Sequence, residues 1–185
     1  MTRRAVVLVA GAQASLVAAL GLCVALDPRA VTGAHEGGVS NYGVHAATVA
    51  WYSLGFALDA ALLAWAARGS RGPARSALAL EAWLVGATLL STYPYQHGEP
   101  WHGLHVAVGT ALVVVQLALS AWLARGRALV AAAVVEVAGA IIAGVAILGP
   151  GHLLFVGQAL ATLGFAVVLV GGLARRASGA PPGAR

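Results

Sequence analysis

The sequence predicts an all-α membrane protein, a polytopic bundle of six transmembrane helices with both termini in the cytoplasm. The first observation is composition, because the 185 residues are 60% hydrophobic and only 9% charged. Too few polar side chains remain to cover a soluble domain of this size. The second observation is six apolar runs, each long enough to cross a hydrocarbon core of roughly 30 Å. The third is that arginine and histidine occupy alternate connections between these runs.

The six apolar runs are separated by turn residues. We predict helices over about 5–26, 44–67, 76–93, 103–124, 128–149 and 151–174. The first run, of about 22 residues, is longer than the apolar region of a signal peptide, so we predict a retained helix. Each break between runs contains glycine or proline, which end helices. The breaks are Asp27-Pro28, Gly69–Pro73, Tyr93–Tyr95, Arg125–Arg127 and Gly149–Gly151.

Arginine marks one side of the predicted membrane. Ten of the eleven arginines lie before helix 1, between helices 2 and 3, between helices 4 and 5, or after helix 6, and only Arg29 does not. Because basic loops stay in the cytoplasm, we predict a multi-pass protein of the cell inner (plasma) membrane with both termini inside. Residues 1–176 are then one transmembrane domain, and residues 177–185 form a disordered cytoplasmic tail.

Two amino-acid counts exclude classes of function. The chain has no lysine, which excludes a retinal Schiff base and a pyridoxal-phosphate lysine. Its single cysteine, Cys23, can form neither an intramolecular disulfide nor a cysteine-cluster zinc site. The pI near 10.4 comes from arginine clusters at helix ends, which are typical of topology signals and anionic-lipid contacts. We expect membrane lipids as partners and no nucleic acid, and leave a homo-oligomer or a larger membrane complex open.

Histidine marks the opposite side, because all six histidines lie in or beside the three outer connections. We predict that Ser40 or Asn41 caps helix 2 and that Pro100 begins helix 4. The partial positive charge of a helix N-terminus favours neutral imidazole, the form that binds metals or accepts protons. The candidate metal ligands are His45, His97, His102, His105 and His152.

The outer connections also hold candidate catalytic groups. Glu36 or Glu99 would be a further metal ligand or a base, and Ser40 and Tyr42 would position a substrate head group. Zinc is the candidate cofactor, although the residues leave its identity open. The alternative is interface decoration, because polar residues of membrane proteins gather in loops in any case. The helix N-termini could instead attract an anion such as a lipid phosphate.

Three carboxyl groups lie inside predicted helices, away from any basic residue. Asp59, Glu81 and Glu136 are six to nine residues from the arginine ends of their helices, which is roughly 9–13 Å. A carboxyl group at this depth is a candidate functional group by default, and Asp59 joins Ser40 and Glu36 as a candidate catalytic residue. When protonated, these groups could hydrogen-bond to Gln13, Gln116 or a backbone carbonyl. They indicate either a proton or cation path or polar contacts that hold helices together.

Small residues four positions apart predict close contacts between helices, because they let two backbones approach. The pairs are Ala14/Ala18, Ala107/Ala111, Ala140/Gly144 and Gly157/Ala161. They indicate tight bundling and say nothing about function.

Two short motifs carry a resemblance to a known family. Residues 36–43 read Glu-Gly-Gly-Val-Ser-Asn-Tyr-Gly before helix 2, and residues 101–105 read Trp-His-Gly-Leu-His at the start of helix 4. With Tyr93-Pro94, these motifs resemble a bacterial six-helix membrane family known as domain of unknown function 998. The features that match that family's pattern are Ser40 with Gly43, Pro94, and the pair His102 and His105. The resemblance covers nearly the whole chain and implies the six-helix fold, without a known activity.

Parts of the same motifs are similar to the zinc site of the alkaline-ceramidase and adiponectin-receptor hydrolases, which combines histidines with a serine and an aspartate. The similar parts are Glu36, Ser40–Tyr42 and Trp101-His102. That similarity implies a membrane hydrolase that uses zinc. The chain departs from the pattern because it has one helix fewer, a histidine pair spaced by three rather than four, and a single late histidine, His152.

These observations lead to four alternative hypotheses about function. The leading hypothesis is a metal-dependent, lipid-directed enzyme whose site lies at the outer leaflet. A second is a small proton-coupled transporter that uses Asp59 and Glu136. A third, an electron carrier with b-type haem or quinone, is disfavoured because such proteins usually place paired histidines deep in facing helices. The fourth is a non-catalytic accessory subunit of a membrane complex.

Overall fold

The computed structural model describes residues 1–31, 38–98, 100–149 and 153–179. In these residues the chain forms six α-helices and three short 3₁₀ turns, which confirms the predicted all-α bundle. The helices are α1 (Arg3–Leu26), α2 (Val49–Arg68), α3 (Pro73–Thr92), α4 (Trp101–Leu123), α5 (Arg127–Leu148) and α6 (Leu154–Ser178). The 3₁₀ turns are Pro28–Ala30, Val39–Gly43 and Pro94–His97.

Among the described residues, five helices are long and apolar enough to cross a membrane. The sixth, α3, is less apolar because it contains Arg75, Glu81 and several hydroxyl side chains. Its outward face is nevertheless apolar, since Trp83 is 66% exposed and Leu90 is 78% exposed, while Glu81 is fully buried. Large apolar side chains on the outside are expected where lipid, not water, surrounds the protein.

The helices pack mostly in chain order. α1 packs on α2, α2 on α3 and α3 on α4, while α6 closes the bundle against α1 and α4. α5 packs chiefly along α6. The core between the helices includes the fully buried side chains of Val9, Leu63 and Val168.

Glycine allows α5 and α6 to touch backbone to backbone. A Cβ atom at Gly157 would lie 2.4 Å from the backbone nitrogen of Ala143, and one at Gly139 would lie 2.4 Å from that of Ala161. The predicted pair Gly157/Ala161 is therefore confirmed as a helix contact. The other three predicted pairs are wrong, because Ala14, Ala18, Ala107, Ala111 and Gly144 are exposed on the outside of the bundle.

The arginine-bearing helix ends lie together at one end of the bundle. Nη1 of Arg175 donates a hydrogen bond to the backbone oxygen of Arg125 at 2.7 Å. The guanidinium of Arg4 lies 5.4 Å from the ring centroid of Trp65. These contacts join the end of α6 to the α4–α5 connection, and the start of α1 to the end of α2. We call this the arginine end, and the opposite one, where α4 begins, the histidine end.

Three predicted boundaries are wrong. Pro100 is the N-cap of α4 rather than its first residue, because the helix begins at Trp101. Neither Ser40 nor Asn41 caps α2, because Val39–Gly43 forms a separate 3₁₀ turn and Thr48 is the N-cap. His45 therefore lies in the turn before α2 rather than in its first turns. At the other terminus, α6 continues to Ser178 and ends where Gly179 adopts a left-handed conformation, which is a common helix stop. The rest of the predicted tail, residues 180–185, lies outside the described residues.

Candidate functional sites

The 3₁₀ turn Val39–Gly43, which we call the mouth segment, packs against the bundle at the histidine end. The backbone nitrogen of Val39 donates to Oε1 of Gln158 on α6 at 2.7 Å. Gly43 lies against the Tyr52 ring and Thr92, since a Cβ there would meet Thr92 at 2.4 Å. The mouth segment thereby connects α2, α3 and α6.

Tyr42 anchors the mouth segment to the interior of the bundle. Its side chain is 1% exposed, its hydroxyl donates to the backbone oxygen of Asp27 at 3.0 Å, and its ring meets Phe155 edge-on. Burial raises the pKa of Tyr42 to about 12, with a further contribution from the charge of Asp27. Tyr42 is therefore a neutral structural anchor, and not the exposed head-group ligand that the sequence suggested.

Ser40 of the mouth segment meets His105 of α4. Ser40 Oγ lies 2.7 Å from His105 Nε2, and Ser91 Oγ on α3 lies 3.0 Å from His105 Nδ1. The Ser91 hydroxyl also donates to the backbone oxygen of Thr88 at 3.0 Å. A hydroxyl has one proton to donate, so Ser91 accepts from Nδ1–H, which leaves Nε2 to accept from Ser40.

This hydrogen-bonded chain has the form of a nucleophile, a base and an orienting group. Ser40 and His105 were both candidates from sequence, although His105 was predicted as a metal ligand. Ser91 was missed. The available signal was that Ser91 lies three residues after Thr88 and next to Thr92, which indicates a polar stripe on the buried face of α3.

The described residues contain no group of three or more histidine, cysteine, aspartate or glutamate side chains placed to hold a metal. Of the predicted ligands, His97 and His102 are exposed, while His45 and His105 are partly buried. His152, Glu36 and Glu99 lie outside the described residues, and so does His35. The residues that are described do not fit a metal centre on their own.

The one arginine on the predicted outer side is neutralised locally. Arg29 and the buried Asp27 form an ion pair with 2.6 Å between Arg29 Nη2 and Asp27 Oδ2. The neighbouring carboxylate raises the pKa of Arg29 further. This pairing accounts for the exception to the arginine pattern, because a paired arginine contributes little net charge to its loop.

The three buried carboxyl groups, which we call the carboxyl layer, are Asp59 on α2, Glu81 on α3 and Glu136 on α5. All three are 0–1% exposed. The layer lies inside the bundle, and Glu81 interacts electrostatically with both other members. The sequence prediction that they share one depth agrees with this proximity.

Each member of the layer accepts a hydrogen bond from a neutral side chain of another helix. Nε2 of Gln13 donates to Asp59 Oδ1 at 3.0 Å, and Nε2 of Gln116 donates to Glu81 Oε1 at 2.7 Å. Both glutamines were among the partners named from sequence, although which carboxyl group each would bond was left open. The third donor, Ser120, bonds to Glu136 Oε2 and was missed, although it follows Gln116 by one helical turn.

Two carboxyl oxygens of the layer take no part in these hydrogen bonds. Glu81 Oε2 and Glu136 Oε1 are buried, and among the described residues neither has a hydrogen-bond partner. The basic residues of the helices lie near the helix ends, where none can reach this depth. A buried oxygen that could be negatively charged is costly without a partner. The layer is therefore suited to take up protons or a cation.

No protein-family model, curated protein or solved structure matches the chain. The resemblances to domain of unknown function 998 and to the membrane hydrolases therefore stay predictions. The two candidate sites, one at the histidine end and one in the carboxyl layer, rest on their own geometry.

Proposed function

We propose that the protein is a proton-coupled carrier of the cell inner membrane, with Glu81, Glu136 and Asp59 as its proton-binding groups. The observation that carries the proposal is the pair of buried carboxyl oxygens, Glu81 Oε2 and Glu136 Oε1, that lack a hydrogen-bond partner among the described residues. Ionisable groups inside membrane bundles commonly mark proton or substrate paths.

The energetics favour proton exchange over a purely structural role. A structural hydrogen bond needs one acceptor, and an amide or hydroxyl would supply it without the cost of a possible charge. A carboxyl group adds the ability to bind and release a proton. A proton on Glu81 or Glu136 neutralises the group and turns its unpartnered oxygen into a donor.

α4 is the element that would respond to such a proton. Gln116 and Ser120 lie one turn apart on α4 and bond to carboxyl groups on two different helices, α3 and α5. A change of protonation at either carboxyl group alters the hydrogen bonds that hold α4. Coupling between proton binding and helix movement then needs no further element.

The first test asks whether the layer holds protons. Infrared difference spectra of the detergent-purified protein, titrated from pH 5 to pH 9, should show protonated-carboxyl bands that shrink in Glu81→Gln and Glu136→Gln. Asp27→Asn is the matched control, because Asp27 is ionised in its pair with Arg29. The protonated-carboxyl bands of the Asp27→Asn protein should therefore equal those of the wild type. If Glu81→Gln and Glu136→Gln leave every protonated-carboxyl band intact, the proposal fails.

The second test asks whether the protein carries protons across a membrane. Proteoliposomes with a pH-sensitive dye inside should acidify under an imposed membrane potential with the wild-type protein. The Glu81→Gln/Glu136→Gln protein should lose most of that flux, while Asp27→Asn keeps it. Equal, non-zero flux through wild-type and double-variant protein would contradict a proton path through these residues.

The hydrogen-bonded chain Ser40–His105–Ser91 favours a second candidate, a lipid-directed enzyme at the outer leaflet. Ser40 Oγ would attack an ester carbonyl while His105 Nε2 takes its proton. His105 then gives that proton to the leaving alcohol, and a water molecule repeats the steps to release the acid and restore Ser40. Ser91 holds the imidazole in the required tautomer.

A fluorophosphonate probe tests this second candidate without a known substrate. Wild-type protein should be labelled, Ser40→Ala should not, and His105→Gln should be labelled about a hundred-fold more slowly. Ser53→Ala, a serine of α2 outside the chain of hydrogen bonds, should behave as the wild type. Identical labelling of wild-type and Ser40→Ala protein would rule out Ser40 as the nucleophile.

The metal-dependent form of the enzyme requires ligands beyond the described residues, such as His152 or Glu36. Measuring the metal content of the purified protein by mass spectrometry tests whether such a metal centre exists. Near-stoichiometric zinc, iron or copper that disappears in His102→Ala/His105→Ala would support a metal centre. No metal in either protein would contradict it and leave the nucleophilic mechanism.

A further inference from the structure

A groove between α2 and α3 opens toward the lipid at the arginine end. Its volume is about 540 Å³, and Ala60, Ala64 and Ala82 form part of its floor, Trp83 one wall, and Arg68 and Arg75 its mouth. From Ala60 to Arg68 the groove follows α2 for about 12 Å. Small side chains leave space on an otherwise bulky apolar surface.

The two arginines at the mouth have no acidic partner among the residues that the structure describes. Both are exposed, and the only ion pair among the described residues is that of Arg29 with Asp27. In the sequence, the six acidic residues belong to the predicted outer connections or to the carboxyl layer. They are Asp27, Glu36, Asp59, Glu81, Glu99 and Glu136.

Other arginines of the same end are engaged within the protein. Arg175 donates to the α4–α5 connection, and Arg176 lies 3.8 Å from the centroid of the Trp122 ring. Arg68 and Arg75, by contrast, border an apolar groove. The adjacent start of α3 has no side-chain cap, and the N-terminal end of a helix carries partial positive charge.

We propose that this groove binds one anionic phospholipid, with its phosphate between Arg68 and Arg75 and an acyl chain along Ala60, Ala64 and Trp83. Charge complementarity selects the phosphate, and the apolar floor selects the acyl chain. A groove of this size, with charge only at its mouth, matches a single lipid better than a second protein helix, which would need a longer apolar face. This binding site is independent of the carboxyl layer and of Ser40.

Native mass spectrometry of delipidated protein, with phosphatidylglycerol or phosphatidylcholine added back, tests the site. The wild type should retain one phosphatidylglycerol and prefer it to phosphatidylcholine by at least about tenfold. Arg68→Gln/Arg75→Gln should lose about thirty-fold in phosphatidylglycerol binding, since each arginine near an anionic lipid contributes about fivefold and the two factors multiply. Arg71→Gln, in the same connection but outside the groove, is the matched control and should bind as the wild type.

Ala64→Leu tests the acyl-chain part of the site, because it fills the groove without changing charge. It should weaken phosphatidylglycerol binding, while thermal unfolding in detergent stays cooperative and near the wild-type temperature. Unchanged binding in Ala64→Leu would mean that the arginines hold only a head group and would overturn the proposal. So would equal binding of both lipids, or a wild-type dimer that Ala64→Leu converts to a monomer.

Discussion

At the scale of single residues, Asp59, Glu81 and His105 are each held by neutral side chains of other elements. Asp59 and Glu81 each accept a hydrogen bond from a glutamine, and His105 is held between Ser40 and Ser91. A neutral donor stabilises a carboxyl group in either protonation state, whereas an arginine would hold it permanently charged. Such contacts are compatible with either protonation state of the layer, as the proposed proton exchange requires.

Gln116→Leu should destabilise the protein because it leaves Glu81 without its hydrogen-bond donor. Loss of one partner of a buried polar group costs about 1–3 kcal/mol, so the unfolding temperature in detergent should fall. Thr110→Val, on the exposed side of the same helix, is the control and should change stability by less than about 0.5 kcal/mol. Glu81→Leu added to Gln116→Leu should restore most of the loss, and a further fall instead would show that Glu81 has another essential partner.

Tyr42 should make stability depend on alkaline pH. Burial raises its pKa from the ordinary 10 to about 12, so between these values the unfolded chain releases the proton while the folded protein keeps it. Its contribution is therefore complete below pH 10 and is lost as the pH rises toward 12. Unfolding temperatures from pH 8 to pH 12 should fall less steeply for Tyr42→Phe than for the wild type, and parallel curves would be inconsistent with this account.

At the scale of elements, glycine brings the backbones of α5 and α6 into direct contact. A Cβ at Gly164 would lie 2.6 Å from the backbone nitrogen of Glu136. Backbone atoms cannot rotate away as side chains do, so glycine is required there. The same contact fixes the position of Glu136 relative to α6.

Gly164→Ala should separate α5 from α6 and destabilise the protein by about 1–3 kcal/mol, the usual cost of overpacking. Gly144→Ala is the matched control, because a Cβ at Gly144 meets nothing within 4 Å. In the control, the better helix propensity of alanine should leave stability equal or slightly higher. Unfolding temperatures in detergent measure both, and equal values for the two variants would contradict the close contact.

At the scale of the whole molecule, charge and burial divide the bundle into zones. The arginine end is cationic, the carboxyl layer is polar and buried, and the outside is apolar, with Leu148 91% exposed. Such an exterior requires lipid around it. The positive-inside rule then predicts which end faces the cytoplasm.

Cysteine labelling checks that orientation. Cys23 is buried, so in a Cys23→Ala background a single cysteine replaces either His97 or Ser178, both exposed. In intact cells, a membrane-impermeant maleimide should label His97→Cys at once and Ser178→Cys only after the membrane is opened. The reverse order would overturn the predicted topology.

The amino-acid sequence by itself determined the six helices, the apolar exterior and the separation of arginine from histidine, because these depend on composition and on position along the chain. It also named Gln13 and Gln116 among the possible partners of the buried carboxyl groups, without assigning either to a particular one. Only the tertiary structure decided that His105 bonds to both Ser40 and Ser91. It also decided that Glu81 and Glu136 both accept hydrogen bonds from α4, and that Gly144 faces outward. Those facts depend on the order and rotation of helices around one another, and side-chain packing across the bundle sets both.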